Sequence, residues 1–199
     1  YPVEETSELV MWNGNLKNAA ASRQSGLGIR VLYRGAWGFS ASSDLSNLSA
    51  LFDQALSNAR IAAQRVSFPV RLAEKDAIQA SFNSPNRIDP FGVPLTDKIA
   101  FMQTMDEKLN RPGVMQRICA LTFVRKQIVF IDSEGSEIEK NIIEVFPEIQ
   151  VMGVDPDGVS QVRKFSPSRM GTTRGWETVD MQMFSENADR IVRELNEVM

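Results

Sequence analysis

Gly26-Leu27-Gly28-Ile29-Arg30-Val31-Leu32-Tyr33-Arg34-Gly35-Ala36-Trp37-Gly38-Phe39-Ser40-Ala41-Ser42-Ser43-Asp44-Leu45 holds a hairpin and the approach to a helix in twenty residues. Residues 29–33 alternate apolar side chains with Arg30, as a half-buried strand does. Arg34-Gly35-Ala36 reads as a turn, and residues 37–41 as the returning strand. Ser43 or Asp44 is then a candidate N-cap. Leu45, Leu48, Leu51, Phe52, Ala55, Leu56, Ala59 and Ala62 recur at helical spacing, which predicts a long helix to about Gln64.

Upstream, residues 7–12 form a strand candidate, and Asn13-Gly14 supplies a pair that tolerates positive φ in a tight hairpin. Residues 16–25 are rich in Ala and Ser and make a poorer segment. Together residues 7–42 read as an antiparallel meander. Downstream, residues 66–94 contain four prolines, Pro69, Pro85, Pro90 and Pro94, and read as a connector with at most one short element.

The plan then repeats. A helix is predicted over 95–110, with Ile99, Met102, Met105 and Leu109 on one face and Arg111-Pro112-Gly113 as its stop. Strand candidates follow at 116–124, 126–131, 137–152 (in one or two pieces) and 159–165. Their turns are Asp132-Ser133-Glu134-Gly135 and Asp155-Pro156-Asp157-Gly158. A terminal helix from about Thr178 turns Met181, Phe184, Ala188, Ile191, Leu195 and Val198 inward. The expected fold is therefore α+β, built of antiparallel β-meanders each followed by a long helix. Its parts are a first module over 1–65, a connector over 66–94 and a second module over 95–199. An internal duplication explains the repetition; so does the commonness of meander-plus-helix units.

Composition narrows the chemistry. The chain has 199 residues, a net charge of −3, 43% apolar residues, one Cys and no His. That length and apolar share suit a globular core. No apolar run approaches the roughly 20 residues of a membrane span, and the mixed, mildly acidic charge leaves no footprint for nucleic acid. The absence of His removes histidine-based triads and histidine-ligated metal sites from this chain.

Each candidate site has a plainer explanation beside it. Gly26 and Gly28 precede a strand, whereas a dinucleotide-binding glycine loop follows a strand and opens a helix. Strand geometry accounts for them better. Cys119 lies between Ile118 and Ala120 without a histidine base, and reads as a small buried apolar residue. Asp132, Glu134, Glu137, Glu139 and Glu144 could do acid–base work or hold a hard cation, but they lack the spacing of a calcium loop. Arg169, Arg174 and residues 171–175 can bind an anionic group through guanidinium forks, or form a crossover loop that anchors Trp176. Tyr33, Trp37 and Phe39 near a sheet edge suit an extended peptide adding as a strand, or simple packing.

The G-x-G-x-R-V stretch, the turn, the W-G-F-S-A-S strand and the long helix resemble the first module of the TldD/PmbA family. Its members are metallopeptidases or their partners, once called modulators of DNA gyrase. The resemblance continues through Arg87-Ile88-Asp89-Pro90-Phe91, Leu95-Thr96-Asp97-Lys98-Ile99, Ser133-Glu134-Gly135 and Arg174-Gly175-Trp176-Glu177. Trp37-Gly38-Phe39 and Arg174-Gly175-Trp176-Glu177 are closer to the TldD branch.

The resemblance implies a zinc site, an H-E-x-x-x-H helix with a further Cys ligand, in the family's C-terminal half. No position here matches that motif, and Cys119 lies in the wrong half. Zinc is thus expected in a C-terminal half missing from this chain, which holds no cofactor of its own. Gly26, Gly28, Arg30, Gly35, Trp37, Gly38, Phe39, Arg174 and Trp176 carry the family pattern and are the candidate peptide contacts. The resemblance implies a noncatalytic N-terminal region of a cytoplasmic, zinc-dependent peptidase. Such a region would help enclose an unfolded peptide substrate and assemble a homodimer or a TldD–PmbA-type heterodimer, with no nucleic-acid or membrane partner. An inactive PmbA-like subunit and a stand-alone peptide- or protein-binding module are the alternatives.

Overall fold

The computed structural model describes residues 1–168 and 170–199; Arg169 lies outside the described residues. Among the described residues, eight strands and three α-helices follow in order: β1 (Pro2–Trp12), β2 (Asn15–Ser25), β3 (Leu27–Tyr33), β4 (Ala36–Ser42), α1 (Leu48–Ala63), β5 (Gln79–Asn83), α2 (Leu95–Leu109), β6 (Gln116–Ile131), β7 (Glu137–Val154), β8 (Ser160–Phe165) and α3 (Met181–Asn196). The class is α+β, as the sequence implies. Five strands run in the order β2-β1-β6-β7-β5, with β8 also on β7, while β3 and β4 form a separate two-stranded sheet.

That separation refines the meander reading of residues 7–42. The run consists of two hairpins in two sheets, β1–β2 and β3–β4. Both turn on a pair with left-handed backbone, Asn13 (φ 45) with Gly14 (φ 74) and Arg34 (φ 48) with Gly35 (φ 80). Such pairs match the natural twist of antiparallel strands. β2 is a full strand of 11 residues that the apolar-alternation signal could not find, because it is exposed along almost its whole length.

Two compact units are built from interleaved segments: Tyr1–Glu4, Arg23–Phe82 and Lys126–Asn141 make the first, and Glu5–Ser22, Asn83–Arg125 and Ile142–Met199 the second.

In the first unit, α1 lies against one face of the β3–β4 sheet. Ala36, Gly38 and Ser40 are buried there, while Trp37, Phe39 and Ala41 face outward. The Ser40 hydroxyl donates to the Leu51 carbonyl at 2.6 Å, and Asn58 Nδ2 donates to the Phe39 carbonyl at 2.9 Å. α1 begins later than expected. Asp44 accepts from the Ser46 amide and the Ser42 hydroxyl accepts from the Asp44 amide, which holds residues 42–46 in a local turn. Asn47 is the N-cap instead, accepting from the Ala50 amide at 3.0 Å.

In the second unit, β1, β6 and β7 pack against α2 and α3. Leu9, Met11, Leu121, Phe123, Val145, Ile149 and Val151 from the strands meet Met102, Met105, Leu109, Phe184, Ile191 and Leu195 from the helices. Along β7, burial alternates strictly from Ile143 to Gly153, the mark of one covered and one open face. Pro147 interrupts this strand without breaking it. Val145 exchanges both backbone bonds with Thr172, and β8 takes over at Ile149 opposite Phe165. Pro147 falls between the two, where its missing N–H leaves no partner unmet. β6 is one strand through Arg125 where the sequence suggested two. The buried face of α2 also differs from the expected one: Lys98, Phe101 and Asp106 join Met102, Met105 and Leu109, while Ile99 is only partly buried.

Candidate functional site

The nine residues singled out by pattern fall into two places. Gly26, Gly28, Arg30, Gly35, Trp37, Gly38 and Phe39 belong to the first unit, Arg174 and Trp176 to the second.

On the β3–β4 sheet the pairing register sets Arg30 opposite Phe39, Leu32 opposite Trp37 and Gly28 opposite Ala41. These six therefore share the face turned away from α1. The Arg30 guanidinium lies 4.5 Å from the Trp37 ring centroid, a cation–π contact. Phe39 is 56% exposed and its ring lies over Gly28, where a Cβ would come within 3.1 Å of it. Gly38 has the opposite task on the helix side: a Cβ there would stand 2.1 Å from the Ala55 carbonyl oxygen. At the turn, the Gly35 carbonyl accepts from the Val70 amide at 2.8 Å, and Pro69 fills the space a Gly35 side chain would need. Gly28 and Gly38 thus serve close packing and Gly35 the turn, and the outward face is left aromatic and cationic.

Trp176 sits in a three-residue 3₁₀ turn, Trp176–Thr178. Its ring packs edge-on to Phe101 at 6.2 Å and tilted to Phe123 at 5.9 Å. The loop around it is clamped by a residue the sequence reading passed over except as part of a motif. The Glu177 carboxylate accepts from the backbone amides of Arg87, Ile88 and Gly175 at 3.0, 3.1 and 3.2 Å. Burial alone would raise the Glu177 pKa, but these amide donors outweigh it and hold the group below its ordinary value. Arg174 is exposed beside this clamp.

Other charged groups were missed because their partners are distant in sequence. Arg117 forms a two-pronged pair with Asp106, at 3.0 Å from Nε and 3.3 Å from Nη2. Arg125 bridges Glu5 and Asp89 and lies 4.3 Å from the Phe91 ring centroid. Lys98 is buried on α2 with its Nζ 4.9 Å from the Phe123 centroid; burial lowers its pKa, against an opposing pull from Asp89. Asp132 gathers its own turn, accepting from the amides of Glu134 and Ser136 and pairing with Lys75.

None of these groupings is a catalytic or metal constellation. Among the described residues no three His, Cys, Asp or Glu side chains lie where they could hold a metal ion. Cys119 is 2% exposed, and burial pushes its thiol up to about 12, so it is neither an available nucleophile nor a ready ligand. No helix is long and apolar enough to cross a membrane among the described residues.

Comparison with known proteins places this geometry. Residues 3–59 match the family model described as PmbA/TldA metallopeptidase domain 1. A metalloprotease of Methanothermobacter thermautotrophicus is 24% identical over 181 residues, covering 91% of this chain and 38% of the relative. The metalloprotease MJ0996 of Methanocaldococcus jannaschii is 25% identical over 145 residues, covering 69% of this chain and 31% of the relative. The chain thus spans well under half the length of these relatives.

The fold is similar to that of a Bacteroides thetaiotaomicron protein described as a modulator of DNA gyrase. The TM-score there is 0.70 at 11% identity, covering 96% of this chain and 44% of that one. It is also similar to a Thermotoga maritima protein described in the same words, with a TM-score of 0.66 at 15% identity, covering 96% and 42%. TldE of Thermococcus kodakarensis shares it at a TM-score of 0.55 and 10% identity, covering 98% and 43%. Over its first strands and helix the chain is similar to the first domain of the TldD/PmbA family, and the two metalloprotease relatives extend a weaker similarity along most of its length.

Proposed function

We propose that this chain is the noncatalytic N-terminal region of a TldD-like zinc-dependent peptidase, where it helps to enclose an unfolded peptide and to assemble a homodimer or a TldD–PmbA-type heterodimer. The observation that carries the reading is the donor chemistry. A zinc site of such an enzyme needs imidazole, carboxylate or thiolate ligands converging on one point. This chain has no His, and its one thiol is buried and protonated. Its residues do not fit zinc, so no catalytic step is assigned to them. The metal and the general base of the parent peptidase belong, in this reading, to a part of the protein outside these residues.

Peptide contact is assigned to the β3–β4 face. Neither strand pairs with any further strand among the described residues, so backbone groups along the sheet are open to an added strand. Main-chain pairing of that kind holds extended chains with broad sequence tolerance, which suits an enzyme acting on unfolded peptides. On β4 the Phe39 carbonyl is already taken by Asn58, which makes β3 the more open edge. Trp37 and Phe39 offer exposed aromatic surface beside it.

The test compares the 199-residue chain alone with the same chain joined to the rest of its reading frame. Each is assayed for cleavage of an unfolded fluorogenic peptide, with and without added zinc. Zinc-dependent cleavage by the longer protein only is the expected result. Cleavage by the 199-residue chain itself overturns the proposal.

A further inference from the structure

The hairpin carries a charge pattern that the rest of the chain does not share. Residues 26–72 contain five arginines and two aspartates, with no lysine or glutamate, in a chain whose net charge is −3. None of Arg30, Arg34, Arg60, Arg65 and Arg71 has a carboxylate partner among the described residues. Three of them lie against aromatic rings instead: Arg30 at 4.5 Å from the Trp37 centroid, and Arg34 and Arg60 at 5.4 and 5.7 Å from that of Tyr33.

The fold brings Arg34 and Arg60 together on Tyr33 beside the Arg34-Gly35 turn, while Arg30 lies on the outward face of the same hairpin. α1 runs antiparallel to β4, since Ser40 meets Leu51 while Gly38 meets Ala55 and Ala59. Arg60, in the last turn of α1, thereby reaches Tyr33. The bond from the Val70 amide to the Gly35 carbonyl brings the following residue, Arg71, toward the same turn. A cation at a helix C-terminus is favoured by the helix dipole, which accounts for Arg60 alone.

Arg34 has no such account. It occupies a left-handed position (φ 48) where the first hairpin has Asn13 (φ 45), and Asn is the residue that turn chemistry favours there. An arginine at this place supplies a guanidinium that the turn does not need.

We propose that this hairpin binds an extended acidic peptide segment, its chain along β3 and its carboxylates on Arg30 and Arg34. The proposal rests on the peptide-contact reading above and adds the class of peptide. Unpaired guanidiniums match carboxylate geometry. Side chains of an added strand alternate between faces, so Arg30 on the outward face and Arg34 against Tyr33 call for acidic residues on both faces of the peptide. An open strand edge reads a polypeptide backbone, whereas a polynucleotide would meet few phosphate contacts on a chain of negative net charge.

The experiment uses two fluorescein-labelled peptides of seven residues, the length of β3. One is made of Glu alone and the other of Gln alone. Fluorescence anisotropy with the 199-residue chain should show the Glu peptide binding at least about tenfold more tightly at low salt, and the preference fading at about 0.5 M salt. Arg34→Asn should remove the preference while leaving the circular dichroism and melting temperature intact, because Asn suits the turn; Arg30→Gln should weaken it. Equal binding of both peptides overturns the acidic preference and leaves the contact reading standing. No binding of either overturns both. Tighter binding of a labelled single-stranded oligonucleotide than of the Glu peptide overturns the proposal in favour of a polyanion surface. Self-association in sedimentation that the Glu peptide fails to displace overturns it in favour of a second copy of this chain.

Discussion

Gly38 on β4 and Ala55 on α1 approach so closely that a Cβ on the glycine would stand 2.1 Å from the Ala55 carbonyl oxygen. Backbone, not a flexible side chain, blocks the space, so the helix cannot yield without moving as a body. Gly38→Ala should therefore destabilise the first unit by about 1–3 kcal/mol, the usual range for overpacking. Limited proteolysis within residues 23–82, followed by mass spectrometry, reads this locally. Unchanged protection would refute the contact.

The Asp106–Arg117 pair is nearly enclosed, with side-chain exposures of 11% and 13%. Removing one partner leaves the other charge buried and unpaired. Asp106→Ala should cost about 3–5 kcal/mol in denaturant unfolding. Removing both partners should cost less than the two single changes added together. Additive losses would mean that the pair is not coupled.

Lys75 and the turn amides hold the Asp132 pKa at about 2, from an ordinary value of 3.8, with the Lys75 hydrogen bond the largest cause. The folded value is depressed, so the contribution of this group is fully present above about pH 4 and is lost as pH falls through about 2. Amide exchange at Glu134 and Ser136 should accelerate across that window. In Asp132→Asn the acceleration should already be present at neutral pH and no longer follow the acid titration. Identical pH profiles for the two proteins would contradict this.

Glu177→Gln keeps the shape of the clamp but replaces one charged acceptor oxygen by a donor. The amides of Arg87, Ile88 and Gly175 should lose protection from hydrogen exchange, with a stability loss of about 1–2 kcal/mol. The aromatic packing of Trp176 on Phe101 and Phe123 should persist, since it does not depend on the carboxylate. Loss of the Trp176 near-ultraviolet signal with unchanged exchange at these amides would reverse the assignment.

What the sequence disclosed follows from how each signal arises. Periodicity found α1, α2 and α3 because each buries one stripe of side chains, and Asn13-Gly14 found its hairpin because the turn requires positive φ. β2 stayed hidden because neither of its faces is buried, and burial is what periodicity reports. The separation of β3–β4 from the larger sheet was equally out of reach, since strand order depends on contacts between distant segments. The start of α1 moved from the expected Ser43 or Asp44 to Asn47 because several candidate caps compete over a few residues. In the candidate site, Trp37 and Phe39 do share one exposed face, but Tyr33, expected beside them, pairs with Ala36 on the face toward α1. The Glu177 clamp and the Arg30–Trp37 stack were not legible, because each joins residues whose relation only the fold creates.

The central proposal is that these residues serve a peptidase of the TldD/PmbA kind without holding its metal. Calorimetric titration of zinc into the 199-residue chain, with peptide cleavage followed in the same samples, tests it most directly. The account predicts no stoichiometric zinc binding and no cleavage. One zinc bound per chain, or zinc-dependent cleavage by this chain alone, would contradict it.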